Sequence, residues 1–194
     1  METAVLLAGG LGAALACAFV LRRVRRRRGG AAHAGSTAAL ERRANARLRA
    51  ALSPGVGTHL ETRPTVEVPV VADEDGRSWY VPVVSVDLET TDAPGPELVF
   101  EFVAPVLEAI APVFAGERVH HYDVRFTFGP DGLLVSRSCR RVAVTPELAA
   151  RLGEPSYRAF DLRRDVDRGG DGEGRPPVLW GECVAPERAV RSTE

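Results

Sequence analysis

The run His120-His121-Tyr122-Asp123, with Arg125 two residues on, is the place in this chain where residue types and spacing suggest chemistry. In an extended segment alternate side chains share a face, so His121, Asp123 and Arg125 point the same way. A histidine and an aspartate placed like this can act as a base and its orienter, and the arginine can clamp an anion, a hydrolase-like set. The same pair could begin a metal site, but a metal needs three or four ligands. The other histidines, His33 and His59, are remote in sequence, so neither a metal nor a cofactor is expected. On the opposite face His120 keeps company with Tyr122, Phe126 and Phe128, the setting of a packed core histidine.

Other chemistry is sparse. All 25 basic residues are arginine, which removes Schiff-base, P-loop and kinase-type lysines, and with them the common nucleotide-phosphate and pyridoxal enzymes. Asp165, Asp167, Asp171 and Glu173 lie among glycines like calcium ligands, yet the spacing fails the EF-hand pattern, and the run reads as a solvated loop. The pairs Arg140-Arg141 and Arg163-Arg164 read as intramolecular ion-pair partners in an acidic domain. Trp79, Tyr80 and Trp180 read as core aromatics.

The elements that must position the histidine run follow from periodicity. Arg118–Phe128 alternates with period two, and Gly129-Pro130-Asp131-Gly132 returns the chain into Leu133–Val144, a hairpin. Upstream, Thr65–Val71 and Ser78–Leu88 form an antiparallel pair around Asp73–Arg77, each with a proline inside it. The apolar segment from Glu97 to Ala115 is a helix carrying Pro105 and Pro112, or a strand over 97–103 followed by a helix. Thr145-Pro146-Glu147 opens a helix that Gly153 closes. Tyr157–Leu162 and Val178–Val184 read as two further short strands, Asp165–Pro177 as a loop, and 186–194 as a disordered tail. The expected class is α+β, with an antiparallel sheet in the order strand-strand-helix-strand-strand-helix, over residues 53–185.

Ahead of this domain, residues 3–21 are uncharged and apolar, close to the roughly 20 needed to span a bilayer. Arg22, Arg23, Arg25, Arg26, Arg27 and Arg28 follow at once, a membrane-surface collar that marks the cytoplasmic end of the span. A secretory signal carries its charge before the apolar run, so 1–21 is expected to stay as an anchor. Gly9 with Ala13 and Gly12 with Ala16 have the spacing of close helix pairs, which allows a homodimer. A basic collar and joint fill 22–35, and 36–52 is a basic amphipathic helix in which Leu40, Ala44 and Leu48 share a face, docked on the head or lying on lipid.

Charge divides the chain in two. Residues 1–52 hold ten arginines against Glu2 and Glu41, a net of +8, whereas 53–194 hold fifteen arginines against twenty-four acids, a net of −9. The first half suits anionic headgroups. The second is repelled by phosphate backbones, which excludes nucleic acid as a partner. With the head facing a reducing compartment, Cys139 and Cys183 are expected as free thiols, and a disulfide between them is expected only if that orientation is wrong. The sequence therefore describes a single-pass cell-membrane protein, N-terminus outside, whose cytoplasmic head is a non-catalytic binding or assembly module for a membrane-proximal partner. The competing readings are a tethered enzyme using His121 and Asp123, and an anionic-lipid sensor built from residues 22–52.

Overall fold

The computed structural model describes residues 36–52, 60, 62–130, 137–170 and 175–191. The chain divides into two compact units, Met1–Ala38 and Ala39–Glu194, and it is the second whose architecture can be followed. The expected anchor and its arginine collar lie outside the described residues. No helix among the described residues is long and apolar enough to cross a membrane.

The fold is α+β, but its sheets are mixed rather than antiparallel. Five strands form the larger sheet in the order β1-β4-β6-β7-β8: β1 (Thr65–Glu67), β4 (Val83–Asp87), β6 (Tyr122–Phe128), β7 (Ser138–Val144) and β8 (Val178–Glu182). The β4–β6 pair is parallel, and the other pairs are antiparallel. A smaller sheet holds β2 (Val70–Glu74), β3 (Arg77–Tyr80) and β5 (Arg118–Val119) in the order β2-β3-β5, with β3 and β5 parallel.

The two sheets meet at a crease shared by three long segments. The expected strands 65–71 and 78–88 each break at a proline, between β1 and β2 at Val68-Pro69 and between β3 and β4 at Val81-Pro82. Proline has no N–H to give to a ladder, so pairing must lapse there. The third segment breaks beside them at His120-His121, between β5 and β6. Backbone bonds stitch the crease: Val81 N–H to Pro69 O at 3.2 Å, His120 N–H to Tyr80 O at 2.9 Å, and Asp123 N–H to Pro82 O at 2.9 Å. The histidine run thus sits on a fold line rather than within one continuous strand. The β2–β3 turn is Asp75-Gly76, both with positive φ (53° and 72°), the conformation a two-residue hairpin demands.

Helix α2 (Pro96–Ile110) continues as a 3-10 turn (Ala111–Phe114), so the Glu97–Ala115 segment is helical from its start. Gly95 precedes Pro96 at the first helical position, and Pro105 is absorbed within the helix. Phe102 meets Phe126 edge-on at 5.9 Å and Phe114 meets Tyr122 at 6.0 Å, so α2 and its 3-10 turn cover the face bearing Tyr122, Val124, Phe126 and Phe128. Trp180 completes this layer, stacked on Phe128 at 6.2 Å. Helix α3 (Pro146–Arg151) begins as its sequence dictates, the Thr145 hydroxyl accepting the Leu148 N–H.

Two expectations are corrected here. Tyr157–Leu162 is not a strand: α4 (Ala159–Gly169) begins within it and runs through Asp165 and Asp167 of the supposed loop. Leu162 and Val166, four residues apart, bury one face, and the Asp161 carboxylate accepts the Arg158 N–H at the first turn. Nor is 186–194 wholly disordered, since α5 (Pro186–Arg191) packs against β2 and buries Ala189.

Residues 36–51 form helix α1. Leu40, Ala44 and Leu48 are buried in the same core as Val66 and Val68. Asn45 acts as a strand neighbour for the edge of β1, its amide donating to Val66 O at 2.8 Å and its carbonyl accepting Val66 N–H at 3.0 Å. Glu41 accepts the Val68 N–H at 3.0 Å. These side chains cap an edge that would otherwise offer unpaired backbone groups. Asn45→Ala leaves two partly buried backbone groups without partners and is expected to cost about 2 kcal/mol, read as a lower urea midpoint at unchanged m-value.

Candidate functional site

The three predicted site residues come together on the second face of β6 and at its entry, where His121 and Asp123 are sealed and Arg125 is half-buried. His121 and Asp123 are 0% exposed. Arg125 Nε and Nη2 donate to Asp123 Oδ2 at 3.1 and 2.9 Å, and Nη2 also donates to Val184 O at 2.8 Å. Arg141, opposite Arg125 in the β6–β7 register and itself buried, brings Nη1 to 3.8 Å from the same carboxylate oxygen. The register flanks Asp123 with Val83 on β4 and Ala143 on β7, so the carboxylate is walled by apolar neighbours. His121 Nδ1 lies 2.8 Å from His120 Nδ1. One of these two nitrogens carries the proton and the other accepts it.

The electrostatics follow from burial. Burial pushes the Asp123 carboxyl upward, while Arg125 and Arg141 pull it back. Burial pushes the His121 ring down to about 3, with His120, Arg141 and Arg125 adding to the effect, so the ring is neutral at pH 7. His121 Nε2 and Asp123 Oδ1 have no hydrogen-bond partner among the described residues. His121 is a base in composition only: no substrate reaches either of its nitrogens, and no hydrogen bond joins it to Asp123. Among the described residues no group of three or more His, Cys, Asp or Glu side chains could hold a metal.

Arg141, the fourth member of the cluster, was not expected there. Its neighbour Arg140 faces Glu182 at 3.8 Å, so the pair Arg140-Arg141 splits between two faces of β7. Asp165, expected in a solvated loop, is instead bonded to Arg151 and Tyr157, and it pins α3 to α4. Asp171 and Glu173 lie outside the described residues.

The expectation of free thiols is overturned: Cys139 and Cys183 form a disulfide. β7 and β8 are sheet neighbours, and Cys183 N–H bonds Cys139 O at 3.4 Å, so adjacent backbones bring the two Cβ atoms together. The bond ties the outer strand to the sheet beside Val184, the residue that receives Arg125. The cysteines are 44 residues apart, and opening a loop of this size is expected to cost about 2–4 kcal/mol. Unfolding in urea with and without reductant, against a Cys139→Ser/Cys183→Ser double variant, tests this; unchanged stability in reductant would refute it.

A large concavity among the described residues lies elsewhere, between α2 with its 3-10 turn and α3. It is a groove of about 650 Å³ lined by Leu107, Ala111, Phe114, Tyr122, Ala149 and Leu152 among others, with Glu108 at one side. That volume is within the range of about 300–1,000 Å³ typical of ligand sites. No histidine or cysteine lines it, and burial pushes its Tyr122 hydroxyl up to about 12.

Fold and site together define an α+β head of two creased mixed sheets, with a sealed polar cluster on one face and an open apolar groove on the other. No family model matches the chain, and no curated protein or solved structure matches it.

Proposed function

We propose that this chain is a membrane-tethered, non-catalytic binding or assembly module. The observation that carries the reading is the contrast between two sites: the His121–Asp123 pair is sealed, while the groove between α2 and α3 is lined mostly by apolar residues and holds neither histidine nor cysteine. Residues 3–21 anchor it to the bilayer, the collar from Arg22 to Arg28 meets the headgroups, and the partner is another membrane or membrane-proximal protein, a second copy included. A lipid sensor built on 22–52 gains less support, because the apolar face of α1 is spent on β1.

Two cues bear on which side the head faces. The arginine collar acts during insertion, before the head folds, and assigns the head to the cytoplasm. The Cys139–Cys183 bond favours an oxidising compartment, and in the cytoplasm it would open and close with the redox poise. We take the collar as decisive, because topology is set first. A C-terminal reporter active only inside supports this, and one active only outside moves the head across the membrane and makes the bond a permanent staple.

The module reading is tested by crosslinking the full chain in its membrane and comparing it with residues 1–35 fused to an unrelated soluble domain. A membrane-associated protein enriched by the full chain alone is the expected result. Equal enrichment by both, or turnover of a hydrolase substrate that Asp123→Asn abolishes without unfolding the chain, would overturn it.

A further inference from the structure

We propose that the groove between α2 and α3 is a docking site for an amphipathic helix of a partner protein, apolar on one face and basic along its borders. The inference rests on the binding-module reading and gives its partner a chemistry. The groove, of about 650 Å³, has room for several side chains, and its walls are lined with small residues, Ala111, Ala115, Ala149, Ala150 and Gly153, which let a second helix approach closely. Helix-in-groove recognition uses this geometry: apolar anchors at one helical face fill the trough, and polar flanks meet the rim.

The rim is acidic. Glu108 lines the groove itself, and Glu117, Glu147 and Glu154 are each within two residues of a lining residue and are exposed. Glu108, Glu117 and Glu147 form no ion pair among the described residues, and Glu154 meets Arg151 at 3.9 Å. The arginines nearest in sequence are already engaged, Arg151 in part with Glu154 itself. Arg118 lies over the Trp79 ring at 5.6 Å, and Arg151 is held by Asp165 and the Tyr157 ring. An apolar trough inside a negative rim selects a cationic amphipathic partner over an acidic one, and it repels the headgroups of an anionic leaflet.

The test uses the full chain in zwitterionic lipid nanodiscs, with empty discs as background. Two labelled synthetic helices share one Leu/Ala face and carry either arginine or glutamate on their flanks, and a labelled dodecyl-chain probe is the third ligand. The arginine helix is expected to bind saturably and the glutamate helix at least about tenfold more weakly, a difference that shrinks as salt screens the rim. Ala150→Trp, at an exposed position in the groove wall, is expected to abolish binding without a change in melting temperature. Glu108→Gln with Glu147→Gln should weaken it roughly two- to thirtyfold, the range for two exposed ion pairs. Equal binding of both helices, no binding of either, or arginine-helix binding that survives Ala150→Trp would overturn the proposal. So would saturable dodecyl binding that Ala150→Trp removes while neither helix binds, which would make the groove a small-molecule site. A partner found by crosslinking that still binds the Ala150→Trp chain would sink the groove as its dock and leave the module reading standing.

Discussion

Replacing Asp123 with alanine is expected to lower the stability of the head by about 3–5 kcal/mol, the cost of breaking a buried charge pair from one side. The carboxylate is fully buried and takes two bonds from Arg125, with Arg141 at 3.8 Å. Its loss strands positive charge in a region walled by Val83 and Ala143, where water cannot replace it. Asp123→Asn keeps the shape and one acceptor for Arg125 while removing the charge, so it should fall between wild type and alanine. Arg125→Ala should cost less than either, because its side chain is 21% exposed and its charge was partly solvated already. For a domain of this size the alanine variant corresponds to a fall in melting temperature of roughly 6–20 °C. A shift of under about 2 °C would show that the carboxylate is not holding the two guanidiniums and would reopen a role for it beyond structure.

Much of the frame is legible in residues. The Asp-Gly pair at 75–76, the Thr-Pro-Glu start of α3 and the alternation through β6 each name their own local structure, because each is a short-range preference. The prolines at 69 and 82 announce a break, though not that a third segment would break at His120-His121 beside them. Partners are harder than elements. The parallel β4–β6 pair follows from the order of elements, since a 15-residue helix between two strands carries the chain across and returns it in the same direction. Periodicity alone does not show this. Register hides Arg141: a four-residue turn at Gly129–Gly132 would put Ser136 opposite Arg125, and the longer connection puts Arg141 there instead. The same slide decides where Cys139 stands, so the disulfide and the polar cluster were lost to one unreadable loop length. The groove is invisible in sequence for a different reason. It is made by what α2 and α3 leave unfilled, and an alternation of small and large residues reads alike whether a space is packed or open.

Acid should destabilise the head through His121, beginning near pH 6.5. The ring's folded pKa is pushed to about 3 from an unfolded value of 6.5 by burial, with His120, Arg141 and Arg125 reinforcing it. A folded pKa below the unfolded one means the unfolded chain binds the proton first. The contribution of the neutral ring is therefore complete above pH 6.5 and is lost as pH falls toward 3, at about 1.4 kcal/mol per unit. Asp123, whose pKa is pushed the other way by burial, gains a proton in the folded state as pH falls and offsets part of this loss. The clean measurement is therefore a difference between proteins that both keep Asp123. His121→Gln retains a polar group for His120 and does not titrate, so its urea stability relative to wild type should rise by about 2.3 kcal/mol between pH 6.5 and 4.5. A difference that stays flat over that window would show that the ring accepts a proton without unfolding the crease, which requires water or an acceptor at Nε2 and hence a path from solvent to the cluster.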